Sequence, residues 1–274
     1  MKTKNRLLLT SAMMLALVAV SGTTATYAWW VTAASAEAKV NEVTAQADAS
    51  VTLTLTNVAN TEVDNTVGNQ KVTAKGALTD VTTKNGVSNF QKAAIDSQKK
   101  VADLVDVNIA DQYAKDIYYA ISFKATVAMA GLAEGLTYNV YLGDGLGATT
   151  LITEPNGSDK AARMSVSTAE GTFIVGNGEN GYTKETVSGE TTTYETANYE
   201  NPYKKISQIT EVKSATEVGT FGNDEYCVGT LTSTKTSLDI TFTMWFEGAK
   251  TTEEVTNNDK FEANLYFYTV RVGA

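Results

Sequence analysis

Apolar and polar residues alternate with a period of two along most of this 274-residue chain, the pattern of half-buried β-strands. Val51, Leu53 and Leu55 alternate with Thr52, Thr54 and Thr56, which predicts a strand over residues 51–56. Residues 117–128 carry Ile117, Tyr119, Ile121, Phe123, Ala125 and Val127 on one face. Tyr118 and Ala120 begin the other face, so both sides start apolar, as in a central strand of a sandwich. Over residues 238–246 the apolar face is Leu238, Ile240, Phe242, Met244 and Phe246. A last strand over residues 261–272 sets Tyr266, Tyr268, Val270 and Val272 against Leu265, Phe267, Thr269 and Arg271. Shorter strands are predicted at 71–74, 136–142, 206–212, 216–221 and 226–231. Residues 163–168 and 172–175 form a predicted hairpin about Ala169-Glu170-Gly171. Residues 182–187 and 191–196 flank Ser188-Gly189-Glu190 as a long polar hairpin insertion, and Asn85-Gly86 marks another tight turn. One stretch departs from alternation: Phe90, Ala94, Val101, Leu104 and Val105 recur at helical spacing, which predicts a short helix within residues 90–105. Many strands, frequent turn residues and a single helix predict an all-β fold, a jelly-roll-like β-sandwich. No Pro/Ser/Gly-rich linker divides it, so residues 49–274 are expected to form one domain.

The first forty residues follow different rules. Lys2, Lys4 and Arg6 precede an apolar run over residues 7–20, and no charge appears between Arg6 and Glu37. A basic start, a short apolar core and small residues at a junction make a secretory signal peptide over residues 1–28. Thr26 and Ala28 suit the −3 and −1 positions, which places the cut between Ala28 and Trp29. The competing reading leaves residues 7–36 uncut as a membrane span, long enough for the ~20 residues a bilayer needs. The polar run over residues 21–26 argues against it. After the cut the chain would begin Trp29-Trp30-Val31, and exposed large apolar groups at a new terminus mark a surface for a partner. If residues 29–48 are extended, Trp30, Thr32, Ala34, Ala36, Ala38 and Val40 share one narrow face. Such a segment can add to a sheet of its own chain or of a neighbour; a short Ala-rich helix is the alternative.

The junction Thr26-Tyr27-Ala28-Trp29-Trp30, followed by the alternating residues 50–56, resembles the secreted proteins processed by the specialised signal peptidase SipW. The TasA and camelysin family of Gram-positive bacteria is the group it resembles, over about the first 56 residues. That resemblance implies a secreted or surface-displayed β-sandwich that polymerises into fibres, with a SipW-type peptidase and cell-wall or matrix components as partners. Metalloprotease activity has been described for camelysin relatives. It does not carry over, because this chain has no histidine.

Composition narrows the chemistry further. Without imidazole, Ser-His-Asp and Cys-His catalysis and the His-Glu-x-x-His zinc site are all excluded. The net charge is −9, and loss of residues 1–28 would take it to −12, so nucleic acid is not an expected partner. Cys227 is the only cysteine, which rules out an internal disulfide; beside Val228 and Leu231 it reads as a small buried hydrophobe. A secreted hydrolase running on carboxylates alone is the remaining enzymatic reading, but no compact Glu-x-Asp-x-(x)-Glu strand motif is present. Asp239 and Glu247 bracket one strand, too far apart for a shared site on one face unless the strand bends. Tyr118, Tyr119, Trp245, Tyr266 and Tyr268 could stack on sugar rings or fill the core; Trp245, opposite the Leu238–Phe246 face, is the candidate ligand-facing ring of a carbohydrate-binding adhesin. Acidic loops at residues 177–180 and 257–259 offer oxygen ligands of the kind calcium uses, without EF-hand spacing. Gly143-Asp144-Gly145-Leu146-Gly147 lacks the lysine of a phosphate loop. The expectation is therefore a structural protein of the cell surface or biofilm matrix, not an enzyme and without a cofactor. Its function would lie in head-to-tail assembly through residues 29–43.

Overall fold

A computed structural model describes residues 32–36, 50–66, 70–95, 101–143, 152–153, 162–176, 183–188, 191–196, 203–205, 227–247, 260–263 and 265–272. Within these residues the chain is all β, arranged in several sheets as a sandwich-like fold.

The three strongest alternating stretches meet in the main sheet. Its order is β17 (Tyr203–Lys205), β14 (Gly171–Gly176), β13 (Ala162–Thr168), β19 (Ser237–Glu247), β10 (Ile121–Ala130) and β2 (Ser50–Ala59). The short β5 (Asp80–Val81) pairs in parallel with the end of β19. Neighbours such as β2, β10 and β19 are far apart in sequence, as in Greek-key sandwiches. β10 is central, with an uninterrupted antiparallel register to β19 from Ile121↔Met244 to Ala128↔Ser237. Its odd-numbered residues, Ile121 to Met129, enter the core beside Leu238, Ile240, Phe242, Met244 and Phe246 of β19. Phe123 stacks on Phe242 at 5.1 Å between ring centres, and Phe242 meets Phe267 edge-on at 6.2 Å.

Two further sheets contribute to the same core. One has the order β12 (Ile152–Thr153), β20 (Lys260–Ala263), β1 (Thr32–Ala36), β4 (Lys71–Leu78), β9 (Ile117–Tyr118) and β8 (Gln112–Ala114), with β3 (Thr61–Asp64) also on β4. The other is β18 (Cys227–Thr232), β11 (Thr137–Gly143) and β21 (Tyr266–Arg271). Val72 and Leu78 of β4, Val140 and Leu142 of β11, Val228 and Leu231 of β18, and Phe267 of β21 close the core. Each fully buried aliphatic or aromatic side chain contributes roughly 1.5–3 kcal/mol.

Two predicted strands are each divided between sheets. Residues 117–128 break after Tyr118: β9 belongs to one sheet and β10 to the main one. The last stretch divides into β20 and β21, with Leu265 buried between them. β2 and β3 make a third corner at Asn60, which has a φ of 58°. The Asn60 side-chain amide donates to the carbonyls of Ala120 (2.8 Å) and Ile109, tying two corners together. At the corner after Tyr118 the inward face switches parity, Tyr118 and Ile121 entering the main core and Tyr119 and Ala120 facing the other way, so Tyr119 does not share the face of Ile121 as predicted.

The predicted helix within residues 90–105 is absent. β6 (Phe90–Ile95) and β7 (Val101–Val107) form an antiparallel pair instead, with Phe90 opposite Val107 and Ala93 opposite Leu104. The valines at 101, 105 and 107 fit a pleated strand better than a helix, where branching at Cβ freezes their rotamers. Phe90 is tied down by an edge-on contact with Trp245 at 5.6 Å. The preceding turn is the one signalled by Asn85-Gly86: the Asn85 Oδ1 accepts from the backbone N–H groups of Val87 (3.0 Å) and Ser88 (2.8 Å). Gly86 has a φ of 68°, and its carbonyl accepts from the Ser165 hydroxyl at 2.6 Å.

The polar insertion is a hairpin as expected, β15 (Thr183–Ser188) against β16 (Thr191–Thr196). The predicted strands at 206–212 and 216–221, and the acidic loops at 177–180 and 257–259, lie outside the described residues. So does the leader, residues 1–28, with its junction at Ala28 and Trp29. No helix among the described residues is long and apolar enough to cross a membrane.

Candidate assembly surface

The N-terminal segment is where sequence and structure meet most directly. Of the residues expected to share its narrow face, Thr32, Ala34 and Ala36 are described, and they lie in β1. Trp29, Trp30, Ala38 and Val40 lie outside the described residues. β1 is extended, so the helical alternative does not apply to residues 32–36. Its composition, Thr-Ala-Ala-Ser-Ala, is poor in branched side chains. It is a strand because of its neighbours rather than its propensity.

Those neighbours are β4 and β20. β1 runs antiparallel to β4, pairing Thr32↔Leu78, Ala33↔Ala77, Ser35↔Thr73 and Ala36↔Val72, with an irregularity between Ala33 and Ser35. On its other side it runs parallel to β20, pairing Ala33↔Lys260 and Ala34↔Phe261. The chain's own N-terminal segment thus occupies an interior position of a sheet. Removing it would leave two strand edges facing one slot.

The far side of β4 is fixed independently of β1. The Ala77 and Thr79 N–H groups donate to the carbonyls of Asp116 (2.9 Å) and Tyr118 (2.8 Å). Asp116 reaches this position with a φ of 57°, and its carbonyl lies so close to Gly76 that a side chain there would strike it. Because Ala77 directs its backbone toward β9, Ala33 and Ala77 face each other as a non-hydrogen-bonded pair, the closer kind.

β2 presents a second edge, at the end of the main sheet. Asn65 blocks part of it. Its side-chain amide accepts from the Leu55 N–H at 2.7 Å and donates to the Leu55 carbonyl at 2.8 Å, imitating one rung of a strand ladder. We expect Asn65→Ala to cost about 1–3 kcal/mol, because both groups on buried Leu55 lose their partners. Urea denaturation measures it.

Trp245, the ring expected to face a ligand, does not face solvent. It is 0 % exposed, packed with Val81, Phe90, Ala120 and Ile174 in a small second core on the outer side of the main sheet. Its indole N–H donates to the Glu247 carboxylate at 3.2 Å. The turn and hairpin over residues 80–107, read from sequence as including a helix, supply the cover that buries it. Tyr118 is buried in the main core, Tyr119 is partly exposed, and the side chains of Tyr266 and Tyr268 are outside those described. The structure therefore does not assemble the five aromatics into one exposed platform. It brings together a pair that the sequence reading did not single out: Tyr113 and Tyr119, 5.8 Å apart, with the Lys92 ammonium 3.2 Å above the Tyr113 ring. Burial, then the nearby Tyr113 and Asp111, raise the Tyr119 hydroxyl above its ordinary pKa.

The two carboxylates of β19 have separate surroundings. Asp239 is exposed; the Thr126 hydroxyl at 2.6 Å and the Lys124 ammonium at 2.9 Å hold it below the ordinary carboxylate range. Glu247 is buried beside Trp245. Among the described residues no group of three or more His, Cys, Asp or Glu side chains is placed to hold a metal ion. Cys227 is buried as expected, and burial pushes its thiol pKa up. No protein-family model matches the chain, and no curated protein matches it.

Proposed function

We propose that the protein is a secreted structural subunit of a bacterial surface or extracellular matrix, polymerising head to tail by donation of its N-terminal strand. The observation that carries this reading is the position of β1, an N-terminal strand held between β4 and β20 of the same chain. A strand supplied by the chain's end can equally be supplied by another copy. The same backbone hydrogen bonds form in either case, so exchange between the two arrangements changes little in energy. The small side chains of β1 bring little apolar area, which leaves backbone pairing as the main attachment. A chain that gives its β1 forward and receives one from behind has no closed end, and such contacts grow into filaments.

In this reading the leader is the control. While residues 1–28 remain attached, the segment behind them is held at the membrane; cleavage after Ala28 by a SipW-type peptidase frees Trp29 and β1 to move. The resemblance of the junction residues 26–30 to that signal class supports the same reading. N-terminal sequencing of the secreted protein, with electron microscopy of the same sample, tests it. Filaments built from a chain starting at Trp29 are the expected result. A secreted chain that starts at Trp29 and stays monomeric would contradict it.

A further inference from the structure

The open part of β2 is a second, separate pairing surface. Thr52, Thr54 and Thr56 lie opposite Ala128, Thr126 and Lys124 of β10. The backbone of the next β10 residue, Met129, turns the other way, its N–H donating to the Thr236 carbonyl at 2.9 Å. The even-numbered residues of β2 therefore direct their N–H and C=O groups at β10. Those of Val51, Leu53 and Leu55 point outward, away from the sheet. Leu55 is occupied by Asn65. No described residue pairs with the outward backbone groups of Val51 and Leu53.

Edge strands in natural proteins are ordinarily protected by lysine, proline, a bulge or a covering segment. Over residues 50–57 this one has none of the first three; its one register shift lies beyond them, at Val58. Residues 49–61 carry no charge and no proline, and the register with β10 is regular from Ser50 to Asn57. Its side chains are those of a good strand. Val51 and Leu53 pack against the main core but remain partly exposed, and among the described residues no strand follows β2 on that side.

We propose that this edge pairs with the same edge of a second copy, antiparallel, about a two-fold axis at Thr52. The occupant follows from charge and register. At a net charge of −9 two copies repel over most approaches, and an uncharged strip is where they can meet. With Thr52 opposite Thr52, Val51 of each copy faces Leu53 of the other, and their outward groups form two hydrogen-bonded pairs. The partner's Val51 and Leu53 then extend the core over the half-exposed ones. The next rung would need Leu55, where the Asn65 amide stops the ladder. The pairing is isologous and closes at two copies, unlike donation of β1, and does not depend on it.

The test uses charge at the axis. Thr52 is exposed and faces away from the core, so Thr52→Glu and Thr52→Lys leave folding intact. Each alone places two like charges directly opposite. Sedimentation velocity on the purified full chain should show a two-copy step for the parent, weakened about fivefold or more in each variant. An equimolar mixture of the two variants should recover parental affinity or better. A parent with no two-copy step, variants that pair as well as the parent, or a mixture no tighter than its components would each overturn the proposal. Neither variant touches the slot of β1, so filament length reports separately on strand donation.

Discussion

Deletion of residues 29–43 should abolish filaments while leaving the sandwich core folded. β1 falls within this segment, and without it β4 and β20 of every copy lack the strand between them. No copy then has a strand to give, so loss of polymer is complete rather than graded. Among the described side chains the aromatic and aliphatic mass of the core comes chiefly from β10, β19, β13, β14, β11 and β18, and these strands should hold it together. Two of the chain's three tryptophans, Trp29 and Trp30, leave with the deletion. The remaining fluorescence is that of Trp245, whose buried position makes its emission a reporter of folding in the same sample. Electron microscopy and emission spectra together read the outcome. Filaments that persist in the deleted chain would refute strand donation. A synthetic peptide of residues 29–43, added to the deleted chain, should bind it in place of the missing strand.

The second large effect is on stability. Trp245→Ala should destabilise the protein by about 3–5 kcal/mol, the range for truncating a buried tryptophan. The ring fills the centre of the second core against Phe90, Val81 and Ile174. Its loss also takes the indole donor from buried Glu247. Urea denaturation measures the change, and a value under 1 kcal/mol would contradict the burial described. Since typical domains are stable by only 5–15 kcal/mol, part of the chain would unfold at growth temperature. Loss of glycan binding in this variant alone would therefore not identify a sugar site.

The strands of the main sheet were legible because their alternation is a direct consequence of burial on one face. Leu238, Ile240, Phe242, Met244 and Phe246 all enter the core as the period of two requires. The polar hairpin about residues 188–191 was legible from its turn chemistry. What escaped had physical causes. The corner at Tyr119-Ala120 breaks the predicted face: Tyr118 and Ile121 both enter the main core while Tyr119 and Ala120 join the second, and because every residue from Ile117 to Ile121 is apolar or aromatic no local signal marks the change. Residues 90–107 mimic helical spacing because their apolar residues are divided between two paired strands. Misreading them hid what covers Trp245, and with it the small second core. The same region holds Arg163, fully buried directly across the strands from Trp245, although isolated charged residues usually read as surface. In the candidate assembly segment, the extended character and small size of residues 32–36 could be read from the sequence. Their place between β4 and β20 could not, because it depends on strands some 40 and 225 residues away. Asn65 gave no sequence signal at all; an asparagine after a strand ordinarily reads as a turn.

The central claim is that β1 of one copy fills the slot of another, and one cross-link tests it. Ala33 and Ala77 face each other as a close, non-hydrogen-bonded pair, the geometry that suits a cross-strand disulfide. Two single variants, Ala33→Cys and Ala77→Cys, are made in a Cys227→Ala background, mixed, allowed to assemble and then oxidised. Strand donation predicts a covalent pair joining residue 33 of one variant to residue 77 of the other, identified by peptide mass after digestion. Filaments that form from the mixture without that 33–77 link would contradict the account.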